Sequence, residues 1–323
     1  MIITTTDNLV RYYDPTQTNY GGNGAPVAVL YDFSLSGAHI VASGTAPVVQ
    51  KAAINGFDAV LFDGAGGLFR SLAPVKFRCG FAVLKINEPL FSNYSGIITG
   101  TGRAMENIVL VGNSGTANFY DGLNPLFEIR ANDRIYPIAN APAPVNNYRI
   151  IFFRSWSPRQ LDGLQLGSDR DFPNRTAKMN LALLALYDRD FCESEIRAQT
   201  QLLAVRFGLI LPEVFPFQAD PDVSFRNGRA ANLDFPESGG MIAEILGGKT
   251  QTADLKFTAR TNSEMLAAET FLDNHYAANG FIYRSYATLP PRDSFGYATG
   301  LLEHSGDPAR HSKNYGFSFR GDR

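Results

Sequence analysis

The chain has 323 residues, 45% hydrophobic and 19% charged, with a formal net charge of −2. That is enough apolar material for packed cores and too little charge for a disordered chain. With no dense Lys/Arg run, the balance excludes a general polyanion binder, and no nucleic-acid partner is expected.

The length argues for two domains. A content of 30 Gly, 18 Pro, 24 Phe and 14 Tyr favours strands joined by turns. Residues 1–6, Met-Ile-Ile-Thr-Thr-Thr, lack the basic start and apolar core of a secretory signal. No apolar run approaches membrane-spanning length, so a soluble protein without membrane insertion is expected.

In chain order, short apolar runs recur at 27–32, 59–62, 80–86, 95–99, 108–111, 127–130, 148–153 and 181–187, divided by Gly, Asn, Asp and Pro. Such a series predicts a mainly β unit, a sandwich or jelly roll. Helical periodicity is clear over Glu193–Phe207, with Ile196, Leu203, Phe207 and Ile210 on one face. Burying each large side chain contributes roughly 1.5–3 kcal/mol, so this helix is expected to fold back onto a sheet. Cys192, just before the helix, is a poor cap, which predicts a frayed or shifted start. Cys79 and Cys192 fit neither a zinc spacing nor a disulfide framework and read as buried free thiols.

Pro212, Pro216 and Pro221 punctuate a stiff, extended linker over 211–222. Beyond it, residues 253–260 alternate apolar and polar as a half-buried strand does. Thr261 and Glu264 have capping-box spacing ahead of a helix at 265–275. Gly280 stops it, Phe281-Ile282-Tyr283 resumes as a strand, Pro290-Pro291 turns the chain, and 315–320 alternates again. The expected domains are therefore 1–210, the linker 211–222, and 223–323. The last is a small β-sandwich or barrel-like unit with one helix. The polar stretch 292–313 reads as a long loop of the kind that a neighbouring subunit orders.

No catalytic set emerges. His39, His275, His304 and His311 have no metal-ligand spacing. Gly112-Asn113-Ser114-Gly115 lacks the nucleophile elbow. The glycine-rich 64–67 and 100–102 read as hairpin loops, not phosphate cradles. An enzyme is not expected, and no cofactor is required. Calcium is the one ion to consider: Asp162, Asp169 and Asp171 flank a short strand at 164–166 and could offer oxygen ligands. The competing reading is three solvated loop carboxylates. For a sugar, the chemistry needed is an aromatic ring to stack on the pyranose and polar groups for its hydroxyls. Trp156, the single Trp, stands beside Arg159 just past an apolar strand, and Tyr120 with Asn124 forms a second aromatic-plus-amide turn. The competing reading makes Trp156 half-buried packing at a strand end.

Two stretches resemble known families. Asp58-Ala59-Val60-Leu61-Phe62-Asp63-Gly64, then Leu186-Tyr187-Asp188-Arg189, then a helix ending at Gly208-Leu209, are similar to laminin-G-like, concanavalin-A-like jelly rolls over about residues 5–210. Residues 225–323, with the helix core Ala268-Glu269-Thr270-Phe271-Leu272-Asp273-Asn274-His275, resemble minor tail proteins at the tail tip of lambda-like bacteriophages. The resemblances imply a structural component of a phage tail tip or baseplate, assembled in the host cytoplasm and carried in the virion tail. Its partners would be other tail proteins (tube, hub, tape measure), further copies of itself in a ring, and a host-surface glycan met by the jelly roll. That jelly roll could instead brace neighbouring tail proteins. Phe281, Tyr283, Arg284 and Tyr286 would supply the ring interface, because aromatic and Arg side chains are enriched there. The alternatives are a carbohydrate-binding lectin or carbohydrate-active enzyme with an accessory β-domain, or a virion decoration without a ligand.

Overall fold

The computed structural model describes residues 7–211 except 121–125, 137, 139–140 and 173. Beyond them it describes the segments 224–234, 242–260, 281–285, 292–298, 303–305 and 313–322, with residues 267, 270 and 271. Contacts divide the chain into two units, Met1–Leu211 and Pro212–Arg323. The division falls at the head of the expected linker, and residues 212–222 lie outside the described residues.

The first unit is mainly β. Its strands are β1 (Leu9–Tyr13), β2 (Val29–Leu30), β3 (Ile40–Ser43), β4 (Val48–Ile54), β5 (Phe57–Asp63), β6 (Leu68–Ser71) and β7 (Val75–Ile86). They continue as β8 (Gly96–Thr99), β9 (Ile108–Val111), β10 (Leu126–Ala131), β11 (Arg134–Tyr136), β12 (Arg149–Leu161), β13 (Leu164–Leu166) and β14 (Lys178–Tyr187). Helix α1 spans Glu193–Phe207. The larger sheet runs β11-β10-β12-β7-β14-β5-β4, with β1 paired to β14, and the smaller runs β2-β3-β6-β13-β8-β9. The ladders are antiparallel, and several join strands far apart in sequence, such as β7 beside both β12 and β14.

Alternating side chains build two apolar layers. One face of the larger sheet (Phe62, Phe77, Leu84, Phe153, Leu184) meets the smaller sheet (Ile40, Phe69, Ile98, Leu110, Leu166) in a single buried cluster. The other face (Phe81, Val83, Phe152, Leu183, Tyr187) is covered by Ile196, Leu203 and Phe207 of α1. The register of β14 slips between Leu181 and Leu183. That irregularity lets Ala182 and Leu183 both face the helix while Leu181 and Leu184 face the sandwich interior. Phe191 stacks edge-on to Tyr187 (4.7 Å) and Phe81 (5.6 Å) beneath the helix.

Three local expectations change. Ile210 is 89% exposed rather than on the helix face. Gly208 adopts φ +60° as the C-cap, which turns the chain away, and Leu209 packs against the buried layer instead. The helix start is not shifted: the Glu195 carboxylate accepts the Cys192 N–H at 2.9 Å, which completes one half of a capping box without a hydroxyl. Cys192 is exposed at this helix start, while Cys79 is buried. Charges also hold the layer. Arg206 forks onto the buried Asp14 (2.8 and 3.1 Å). The fully buried Arg130 bonds Glu128 in the sheet and forks onto Glu193 at the head of the helix (2.9 and 2.6 Å).

The second unit carries β15 (Ser224–Asp234), β16 (Ile242–Arg260), β17 (Phe281–Ser285), β18 (Arg292–Ala298), β19 (Glu303–Ser305) and β20 (Lys313–Asp322). Its sheet runs β15-β16-β20-β18-β17, with β19 paired to β20. The stretch expected as a long loop, 292–313, therefore holds two strands. Phe295 and Tyr297 alternate with small and polar residues in β18, a period-2 signal diluted by Asp293, Ser294 and Gly296. Of the expected helix at 265–275, Ala267, Thr270 and Phe271 are helical; the rest lies outside the described residues. Among the described residues, no helix is long and apolar enough to cross a membrane.

Candidate functional site

The loop after β13 folds across the outer face of the smaller sheet. Thr99 and Gln165 are register partners on β8 and β13, and both are buried beneath it. The Thr99 hydroxyl donates to the Ser168 carbonyl (3.0 Å) and accepts the Arg170 N–H (3.1 Å). Gln165 Nε2 donates to the Ser168 and Arg170 carbonyls. The loop lies so close that a Cβ on Gly96 would sit 2.1 Å from the Asp169 nitrogen. Glycine is therefore required at 96. Inside the loop, Asp169 is fully buried and accepts from Arg170 Nε (2.7 Å), Arg170 Nη2 (3.0 Å) and Arg175 Nη1 (3.0 Å). One carboxylate thus serves two guanidinium groups.

Beside this loop opens a pocket of about 190 Å³ lined by Tyr94, Met105, Ile108, Val111, Tyr120, Asp169, Arg170 and Arg175. Tyr94 and Tyr120 meet edge to face at 5.1 Å. The Arg175 guanidinium lies over the rings of Tyr94 (5.3 Å) and Phe172 (4.3 Å), and Arg170 and Arg103 also face Phe172. The wall is therefore aromatic and cationic together. Its size falls below the roughly 300–1,000 Å³ of drug-sized sites and suits one small ring.

The sequence candidates divide. Tyr120 and Asp169 line the pocket. Arg159 does not: it is buried, and its guanidinium donates to the backbone carbonyls of Ile108 and Glu106, bracing the segment that carries Met105 and Ile108. Burial pulls its pKa down to about 10, against the opposing pull of Glu106. Trp156 is 57% exposed on an outward bulge. From Arg154 to Arg159, β12 advances five residues while β7 advances two, from Cys79 to Phe77, so three extra residues are expelled. The buried Ser155 anchors the bulge through the carbonyls of Arg78 (3.1 Å) and Ser157 (2.7 Å). Asn124 lies outside the described residues.

The three aspartates considered for calcium go to separate partners. Asp162 accepts from Asn107 Nδ2 (2.8 Å), Asp169 is held by its two arginines, and Asp171 pairs with Arg70 (3.1 Å). Among the described residues, no three His, Cys, Asp or Glu gather as a metal site would require. Phe281, Tyr283 and Arg284 fall on β17, the last strand in the second sheet's order; Tyr286 lies outside the described residues. Sequence reasoning missed Tyr94, Arg170 and Arg175. The dense Arg/Asp/Phe content of 169–175 directly after a strand was the signal available.

No protein-family model matches the chain, and no curated protein matches its sequence.

Proposed function

We propose that this chain is a structural component of a bacteriophage tail tip or baseplate whose first unit is a laminin-G-like, concanavalin-A-like jelly roll that contacts a host-surface glycan. The jelly-roll reading draws on the motif strands. Phe62-Asp63 ends β5 and Leu186-Tyr187 ends β14; these strands pair directly, Met179 opposite Phe62 and Lys178 opposite Asp63. Strand β1 closes on β14, and α1 follows within a few residues of it. The order strand, helical residues, strand, strand in the second unit supports the tail-tip resemblance. Strand β17 ends the sheet order among the described residues, an edge through which a further copy could add to a ring.

The observation that carries the glycan contact is the pocket in which Tyr94 and Tyr120 stand beside hydrogen-bonding charge. An apolar aromatic body with a polar tip suits a pyranose, which has one apolar face and a polar rim. We read the chain as non-catalytic. A glycosidase needs two carboxylates across its cleft, and among the described residues Asp169 is the pocket's single carboxylate, neutralised by arginine.

The test is twofold. Antibody labelling and copy counting on purified tails should place several copies at the tip. Fluorescent full-length chain should bind host cells and lose them when surface polysaccharide is stripped. A chain absent from tails but retained by polysaccharide would favour the lectin reading. Tails carrying it at the tip with no polysaccharide-dependent binding would leave bracing of neighbouring tail proteins as its role.

A further inference from the structure

We infer that the pocket selects an acidic sugar, a pyranose bearing a carboxylate, with Arg175 as the group that receives the acid. This deepens the glycan reading and rests on it. The first argument is charge. Arg170 and Arg175 share the buried Asp169 alone, which leaves a positive charge at the pocket wall. Around it, Arg70 pairs with Asp171, while Arg103 contributes a further cation.

The second argument is hydrogen-bonding capacity. Arg170 spends Nε, Nη1 and Nη2 on Asp169, the Arg103 carbonyl and the Met105 sulfur. Arg175 spends Nη1 alone, and among the described residues its Nε and Nη2 meet no acceptor. Its side chain lines the pocket and stays 30% exposed. Stacking against Tyr94 and Phe172 holds the guanidinium plane in place. A pre-positioned planar fork with open donors matches a carboxylate, which takes two parallel N–H bonds. The third argument is fit: the volume suits one ring, and the Tyr94 and Tyr120 hydroxyls also lack partners among the described residues, free to meet sugar hydroxyls.

The test is titration of the full chain, by calorimetry or ligand-detected NMR, with a uronate oligosaccharide and its carboxyl-reduced neutral counterpart. A sulfated neutral oligosaccharide and sodium acetate form two further arms. The uronate should bind at least tenfold tighter than the neutral sugar, with an affinity that falls as salt rises. Arg175→Gln should abolish that preference, and Arg175→Lys, which keeps the charge but not the fork, should restore only part of it. Melting temperatures of both variants separate lost binding from lost folding; if Arg175→Gln unfolds, the wild-type comparison of acidic with neutral sugar still decides. Equal binding of acidic and neutral sugars overturns the inference and leaves the glycan reading standing. Acetate binding as tightly as the uronate, or stronger binding of the sulfated sugar, also overturns it. No sugar binding in any arm removes the glycan reading as well.

Discussion

At residue scale, Arg159 and Trp156 are three positions apart on one strand and have opposite fates. Arg159 points inward and satisfies two backbone carbonyls behind the pocket. Arg159→Ala strands those acceptors, and a buried acceptor left unpaired costs about 1–3 kcal/mol. Denaturant unfolding should show that loss, together with weaker sugar binding, because Met105 and Ile108 lose their brace. Trp156 is carried outward on the bulge. Trp156→Ala should therefore cost less than half of the roughly 3–5 kcal/mol typical of a core aromatic truncation. A full core-sized loss in urea melts would show that the ring is packing material rather than available surface.

At element scale, α1 seals the outer face of the larger sheet, and its ends are fixed by charge. At its start, the hydrogen bond from Arg189, then the Cys192 N–H, pull the Glu195 carboxyl from 4.5 to about 2. A folded pKa below the unfolded one stabilises the protein above pH 4.5, and that contribution fades as pH falls towards 2. Glu195 keeps 37% of its side chain exposed, so solvent screening keeps the effect small. Thermal melts from pH 6 to 2 should show Glu195→Gln less stable than wild type at the upper end. The two should converge at the acid end. A constant offset across the range would place its contribution in packing instead. At the other end of α1, burial pushes the Asp14 carboxyl up, but hydrogen bonds from Arg206, Thr16 and Gln17 outweigh it and hold it below its ordinary value. The same acid weakening applies there.

At the scale of the whole molecule, the chain forms two compact units that divide at Leu211. The first has its own two-layer apolar interior and a helix lid, which is what independent folding requires. Limited proteolysis should release a stable fragment ending near Leu211. A protease-resistant chain melting in one transition, with no such fragment, would show the two units to be a single cooperative body.

Much of the first unit was legible because its signals are local. All eight apolar runs contain strands, and Glu193–Phe207 is the helix to the residue. Strands such as Val48–Ile54, with Gln50 and Lys51 at its centre, and Arg292–Ala298 escaped because short or polar-rich strands carry little periodic contrast. The candidate site was legible only in fragments: Tyr120 and Asp169 stood out singly. Their meeting with Tyr94 and Arg175 depends on a loop after β13 lying against Gly96 and Thr99, some seventy residues earlier in the chain. The sequence by itself determined the strongly periodic strands and the helix of the first unit, since side-chain period and turn chemistry act within a few residues. Only the tertiary structure decided which arginines keep open donors, because that depends on how many carboxylates long-range strand pairing brings within reach of each.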